Sequence, residues 1–239
     1  MRRIVVVPCF NEAHRFDPVA ISAIVDDQTG LLLVDDGSTD DTLALLQAAA
    51  MGDAARIKVL ALTVNAGKGE AVRAGLRQAA RDGAVVVAYL DADLSTPVED
   101  MFRILALIDE RAEAQVVLGS RVALLGRNIE RTAPRHYLGR IFATVASTGL
   151  GLRVYDTQCG AKAFRVNEAL LRALSAPFTS RWAFDVELLA RLLDDLPPSG
   201  FFEVPLQQWR EIGGSKLRPL AMLKAGLDVV RISVFRRRH

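Results

Sequence analysis

Residues 85–90, Val-Val-Val-Ala-Tyr-Leu, form an apolar run rich in β-branched side chains that stops abruptly at Asp91-Ala92-Asp93. A run this short reads as a buried strand rather than a helix. Such strands belong to parallel sheets with helices on both faces, and in open sheets of that kind ligands sit beyond the carboxyl ends of the strands. Asp91 and Asp93 are therefore expected at a ligand. Two carboxylates just past a strand suit a divalent cation shared with phosphate oxygens, because magnesium commonly takes one or two carboxylates plus substrate phosphates. In isolation the same spacing also describes a loop with two solvated aspartates, so the other strand ends must decide.

They end in the same way. Residues 4–7 read as a first strand, stopped by Pro8 and followed by Cys9-Phe10-Asn11-Glu12. Residues 31–34 read as a second, followed by Asp35-Asp36-Gly37-Ser38, and 57–62 as a third, followed by Asn65-Ala66-Gly67-Lys68-Gly69. A further strand at 116–118 closes with Gly119-Ser120-Arg121. Between them a short helix is expected near 18–25, and one over 39–50, where Ser38 and Asp41 have capping-box spacing. Another runs to about residue 80 with Ala71, Val72, Leu76 and Ala79 on one face, and a fourth opens near Pro97. This alternation predicts an α/β fold, a mostly parallel sheet with right-handed crossovers. Five polar clusters at one sheet edge then form a single site.

Beyond Arg121 the alternation breaks. Residues 127–140 are basic and read as loop, and 141–152 as a helix rich in small and apolar residues. Asp156-Thr157-Gln158-Cys159-Gly160 leads into a strand-like stretch to Arg165, and Asn167 caps a helix through Leu174. Residues 184–193 read as a helix carrying Asp185 and Glu187, 202–209 as a strand, 210–216 as a glycine-containing loop, and 219–235 as a final amphipathic helix. With 239 residues, no long linker and no internal repeat, one domain is expected. The net charge of +2 gives no bulk attraction for nucleic acid, but basic residues concentrate over 121–140 and at the C-terminal Arg236-Arg237-Arg238-His239. Two cysteines, Cys9 and Cys159, make neither a disulfide framework nor a zinc pattern. No signal peptide and no membrane span are read, so the expected setting is the reducing cytosol or a membrane surface. His14, His136 and His239 lack metal-ligand spacing, and Trp182 and Trp209 fit either core or site lining.

Taken in order, Pro8 to Glu12, Val34 to Asp40, Asn65 to Gly69, Asp91 to Asp93 and Gly119 to Arg121 closely resemble the family 2 glycosyltransferases of the GT-A (Rossmann-like) fold. Asp156-Thr157-Gln158-Cys159-Gly160-Ala161-Lys162 and Phe184-Asp185-Val186-Glu187 look like the dolichyl-phosphate β-glucosyltransferase branch, beside the dolichyl-phosphate mannose synthases. The resemblance implies a single catalytic domain over 1–239, with a nucleotide-binding half at 1–121 and an acceptor-binding half at 122–239. It implies inverting transfer of a hexose from a nucleotide diphosphate sugar, UDP-glucose first and GDP-mannose as the alternative, to a polyprenyl or dolichyl phosphate. The protein would then work peripherally at the cytoplasmic face of a membrane, with no nucleic-acid partner.

By match, Pro8, Asn11 and Glu12 line the nucleotide, Asp36 contacts the base and Lys68 lies near base or ribose. Asp91, Ala92 and Asp93 form the metal motif holding Mg²⁺ or Mn²⁺ on the diphosphate. Arg121 lies near sugar and acceptor, while Arg210 and Lys216 match a mobile-loop pair that clamps the diphosphate. The mannose synthases often carry Gln as a third metal ligand where this chain has Ser95, so a hydroxyl or water fills that place. Many relatives also carry a transmembrane helix.

A phosphate acceptor has a second pKa of about 6 and is already an anionic nucleophile, so the chemistry needs cations more than a base. Arg121, Arg127, Arg131 and Arg135 suit that need, with Asp185 and Glu187 as fallback bases or exposed acids. Two other readings remain: a sugar-phosphate nucleotidyltransferase, disfavoured because no glycine follows the first strand, and a non-catalytic nucleotide-binding module. A non-lipid acceptor is the third alternative within the transferases.

Overall fold

Strand residues alternate between two apolar layers, and this is what builds the sheet. The computed structural model describes residues 2–130, 133–181 and 183–210, with the backbone alone for 133–138. Strands β1 (Arg3–Cys9), β2 (Thr29–Asp35), β3 (Ile57–Ala61) and β4 (Val86–Leu90) are mutually parallel. They join β5 (Val116–Ser120), β7 (Ala161–Arg165) and β8 (Phe201–Pro205) in a seven-stranded sheet of order β3-β2-β1-β4-β7-β5-β8. Only β7 runs against its neighbours. A separate parallel pair joins β6 (Asn128–Glu130) to β9 (Gln208–Arg210).

Val6, Leu32 and Val34 face one layer, with Val72 and Leu76 of α3 (Lys68–Arg81) and Val186 and Leu189 of α7 (Phe184–Leu193). Val5, Val7, Leu31 and Leu33 face the other, with Leu46 of α2 (Thr42–Gly52) and Ile104 and Ile108 of α4 (Val98–Glu110). Each fully buried Val, Leu or Ile contributes roughly 1.5–3 kcal/mol. The pattern works only when both sheet faces are covered, as in an α/β fold. Gly75 brings α3 close: a methyl there would meet Val6 and lie 2.9 Å from Val34 Cγ2. The remaining helices are α1 (Pro18–Ser22), α5 (Ala133–Leu150) and α6 (Glu168–Ala173).

Several local expectations are corrected. The helix expected from residue 39 starts at Thr42, because Ser38 Oγ accepts the Asn11 amide at 3.0 Å instead of capping. Asp40 Oδ1 accepts the Thr42 amide at 3.0 Å in its stead. The basic stretch expected as loop contains β6, and α5 opens at Ala133 with Pro134 in its first turn, a favoured position for proline. The single strand expected over 202–209 is two strands in two sheets. Buried Asp100 of α4 accepts the amides of Gln207 at 2.8 Å and Gln208 at 3.2 Å, which turns the chain between β8 and β9. Arg210 belongs to β9 and not to a loop. Lys216, Arg131, Trp182, the C-terminal basic run and the helix expected over 219–235 lie outside the described residues.

Candidate active site

The carboxyl ends of β1, β2, β4 and β5 open on one edge of the sheet, and the segment between β3 and α3 joins them there. At β1 the chain turns through Asn11, whose φ of +53° is a left-handed conformation that asparagine tolerates. Its side-chain oxygen accepts the Thr39 amide at 2.9 Å, locking the loop after β1 to the loop after β2. Glu12 is buried, donates its amide to Thr42 Oγ1 at 2.8 Å, and holds the Arg15 guanidinium through both carboxylate oxygens. Pro8 pairs with Val34 inside the sheet.

Asp36 is buried and spends its carboxylate on the next loop. Its oxygens accept the amides of Ala66 and Gly67, each at 2.9 Å, and Asn65 Nδ2 at 3.0 Å. Gly67 closes that loop at φ +96° as the N-cap of α3. Asp35, not selected from the sequence as a site residue, accepts the Ser38 amide at 3.2 Å through Oδ2. Its buried Oδ1 has no hydrogen-bond partner among the described residues.

At the end of β4 the Asp91 amide donates to Gly160 O at 3.0 Å. Its carboxylate Oδ1 meets the Lys68 amine at 2.6 Å. A lysine in the first turn of a helix opposes the helix dipole; Glu70 in the same turn and the Asp91 carboxylate both offset it. Burial lowers the Lys68 pKa, but Asp91, Asp185 and Asp93 together more than offset it and hold the amine above its ordinary value. Lys68 thus stands beside Asp91.

Asp93 Oδ1 accepts the Ser95 amide at 3.0 Å, and Ser95 O accepts the Arg210 amide at 3.4 Å, tying β9 to this loop. Ala92 is buried between the two aspartates. Arg15 had no part in the sequence reading. Its bond to Glu12, with smaller contributions from the fields of Asp93 and Asp91, keeps its pKa raised. The Glu12–Arg15 i,i+3 spacing was the available signal.

The donor set suits a hard divalent ion. Asp91 Oδ1 already faces a cation, Asp93 lies two residues away, and no group of three His, Cys, Asp or Glu forms a metal site among the described residues. A metal here would take the two carboxylates and fill its shell with ligand phosphates or water, the usual habit of magnesium.

Arg121 follows the last residue of β5, within the field of Asp91. Its Nε and Nη2 fork onto Asp156 at 2.6 and 2.8 Å, and its amide reaches the same carboxylate at 3.1 Å. Burial opposes the charge, but Asp156 dominates and the guanidinium stays firmly protonated. The Trp209 ring lies 5.3 Å from the guanidinium carbon. Glu203 in turn accepts the amides of Tyr155 at 2.8 Å and Asp156 at 3.0 Å. Arg210 Nε pairs with Glu130 at 3.2 Å across the small sheet.

Asp185 and Glu187 are neither exposed acids nor free bases. Asp185 is buried against Lys162 Nζ at 2.7 Å, while Glu187 accepts the amides of Thr179 and Ser180 and binds Arg191 at 2.7 Å.

Known proteins agree with this architecture. The family model "Glycosyl transferase family 2" matches residues 4–170. A dolichyl-phosphate beta-glucosyltransferase of Trichomonas vaginalis is 30% identical over 245 residues, covering 96% of this chain and 70% of that protein. A polyprenol monophosphomannose synthase of Mycolicibacterium smegmatis is 32% identical over 221 residues, covering 90% of this chain and 81% of that one. Among solved structures, glucosyl-3-phosphoglycerate synthase from Mycobacterium tuberculosis, in complex with Mn²⁺, UDP-glucose and phosphoglyceric acid, superposes with a TM-score of 0.67. At 23% identity it covers 98% of this chain and 79% of that one, and it shares the fold. The sheet order, the strand-end clusters and these matches place the chain in glycosyl transferase family 2.

Proposed function

We propose that this protein transfers a hexose, with inversion, from a nucleotide diphosphate sugar to a polyprenyl phosphate. The observation that carries the reading is the sheet edge itself. Lys68 pairs with Asp91 at the end of β4, Arg15 is held by Glu12 within the field of Asp91 and Asp93, and Arg121 is held by Asp156 within the field of Asp91. Such a site can hold a diphosphate on one side and an anionic acceptor on the other.

Asp91 and Asp93 would hold Mg²⁺ or Mn²⁺, which when bound neutralises charge developing on the leaving diphosphate. Lys68, at the N-terminus of α3, directs a fixed cation at the same phosphates. Arg210, next to Ser95, and Lys216 beyond the described residues would complete the clamp. Pro8, Asn11, Glu12 and Asp36 shape the nucleotide side, where Asp36 acts by fixing the loop that carries Lys68. Both candidate bases are engaged internally, which supports an acceptor phosphate that attacks as its own anion. Arg121 positions that phosphate, aided by the basic segment after β6. Residues 1–121 would then serve the donor and 122–239 the acceptor.

No helix among the described residues is long and apolar enough to cross a membrane. Leu125 is fully exposed and Leu124 about half, beside Arg127, which supports work at a membrane surface; the cytoplasmic face is part of the proposal. UDP-glucose is the first donor to test, since several relatives carry a glucosyltransferase name, and GDP-mannose is the second because of the mannose synthase. The test offers a panel of nucleotide sugars with polyprenyl phosphate and Mn²⁺ or Mg²⁺, with lipid-linked sugar as the readout. Product formation that needs both lipid and metal is expected. Transfer to a soluble acceptor alone would overturn the proposal.

A further inference from the structure

Behind Asp91 lies a buried polar network that the transfer chemistry does not use. Lys162, on β7, is fully buried. Its three donors are all taken: Cys159 O at 2.6 Å, Tyr89 OH at 2.7 Å and Asp185 Oδ1 at 2.7 Å. Tyr89 OH donates to Asp185, so the three side chains close on one another. Tyr89 and Lys162 are directly paired across β4 and β7, and Leu90 faces Ala161. One step further, Gly160 O accepts the Asp91 amide at 3.0 Å. A methyl on Gly160 would lie on the Asp91 carboxyl group, 2.5 Å from Oδ1. Asp91 therefore rests on Gly160, and Lys162 grips the carbonyl of the preceding residue, Cys159.

The other end of the network holds the partner of Asp91. Asp185 lies on α7 next to Phe184, whose Cβ would be 2.8 Å from a methyl on Gly69. Gly69 follows Lys68. One buried ion pair thus joins the floor under Asp91 to the helix that seats Lys68. As a stabilising device it is a poor choice, because an apolar replacement of a buried pair is often neutral or better. Its hydrogen bond to a main-chain carbonyl beside the metal motif is what an apolar core could not supply.

We propose that Lys162, with Asp185 and Tyr89, is a positioning residue that sets the Asp91 carboxylate and its spacing from Lys68. This rests on the proposed function, since it assigns the network a task at the donor–metal site. Supports of this kind around metal ligands typically govern 10–100-fold in metal affinity.

The test uses the double variant Lys162→Gln/Asp185→Asn, neutral and polar, whose Gln ends one bond short of the lysine amine. UDP and GDP binding is measured by calorimetry with and without Mn²⁺, and the Mn²⁺ midpoint is determined. The expected result is a midpoint raised about 10–100-fold, with metal-free nucleotide affinity unchanged within about twofold. A general loosening would raise the midpoint and weaken metal-free nucleotide binding together, which would overturn a role specific to Asp91. The apolar variant Tyr89→Phe/Lys162→Met/Asp185→Leu removes the network as a unit and should give the same split; it carries the test if the first variant does not fold. A folded variant of either kind with the wild-type Mn²⁺ midpoint overturns the positioning role. A wild-type protein whose nucleotide binding ignores Mn²⁺ overturns the proposed function, and this inference with it.

Discussion

Gly160→Ala should disable the site through one methyl group. Gly160 is not among the glycines with positive φ, so alanine brings no conformational penalty there. The penalty is steric. The new carbon would stand 2.5 Å from Asp91 Oδ1 and within contact of the whole carboxyl group, whereas relaxed carbon contacts lie near 3.5 Å. Other atoms of the carboxyl group lie nearer still, so the carboxylate or the strand end must move by at least about 1 Å. A displacement of that size costs about 100-fold in rate, or about 2.7 kcal/mol of transition-state stabilisation. Overpacking of this kind destabilises by about 1–3 kcal/mol, which lowers the melting temperature of a chain this long by about 4–8 °C for a central loss of about 2 kcal/mol. Initial rates of lipid-linked product formation at saturating Mn²⁺, read beside thermal melts, measure both. Gly52→Ala, at a position with nothing within 4 Å, is the control and should change neither. Gly160→Ala with transfer within about threefold of wild type would refute the claim that this glycine seats Asp91.

Asp93→Ala removes a side chain that accepts the Ser95 amide, so stability should hold within about 1 kcal/mol while metal-dependent transfer is lost; near-wild-type activity would remove Asp93 from metal binding. Arg121→Lys keeps the charge but loses the two-pronged contact with Asp156, and kcat/KM for the lipid acceptor should fall about 10–100-fold; an unchanged value would take Arg121 out of acceptor positioning. Burial raises the Glu203 pKa above its ordinary 4.5. The unfolded chain then loses its proton first as pH rises, so the Glu203 contribution weakens from pH 4.5 up to the folded pKa. Glu203→Gln should therefore gain stability relative to wild type as pH climbs through that window, and a difference that stays flat from pH 4 to 6 would refute it. Lys216→Ala should weaken nucleotide diphosphate binding and turnover together, as titration and rate assays would show.

The strand ends were legible because their signal is local. A β-branched run followed by Pro8-Cys9-Phe10-Asn11-Glu12 or Asp91-Ala92-Asp93 carries its own boundary, and five such boundaries in series specify a parallel sheet with one functional edge. The face of α3 built from Ala71, Val72, Leu76 and Ala79 was equally plain, because helical periodicity needs no partner to be read. Capping was less secure. Ser38 and Asp41 satisfied a spacing rule, yet Ser38 serves Asn11, 27 residues away.

Tertiary structure alone decided the rest. The antiparallel insertion of β7 between β4 and β5 pairs Tyr89 with Lys162, and so delivers Gly160 to Asp91. The β6–β9 pairing brings Arg210 to Glu130 and Trp209 to Arg121. The inward turn of Asp185 depends on Lys162 of β7, whereas Glu187 is held by its sequence neighbours Thr179, Ser180 and Arg191. A carboxylate on an amphipathic helix looks the same in sequence whether water or a buried lysine faces it, because the charge that compensates it is brought close only by folding. The sequence therefore determined where the polar strand ends gather, and the packing of α7 and β7 determined which side chains line the candidate site and which ones hold them there.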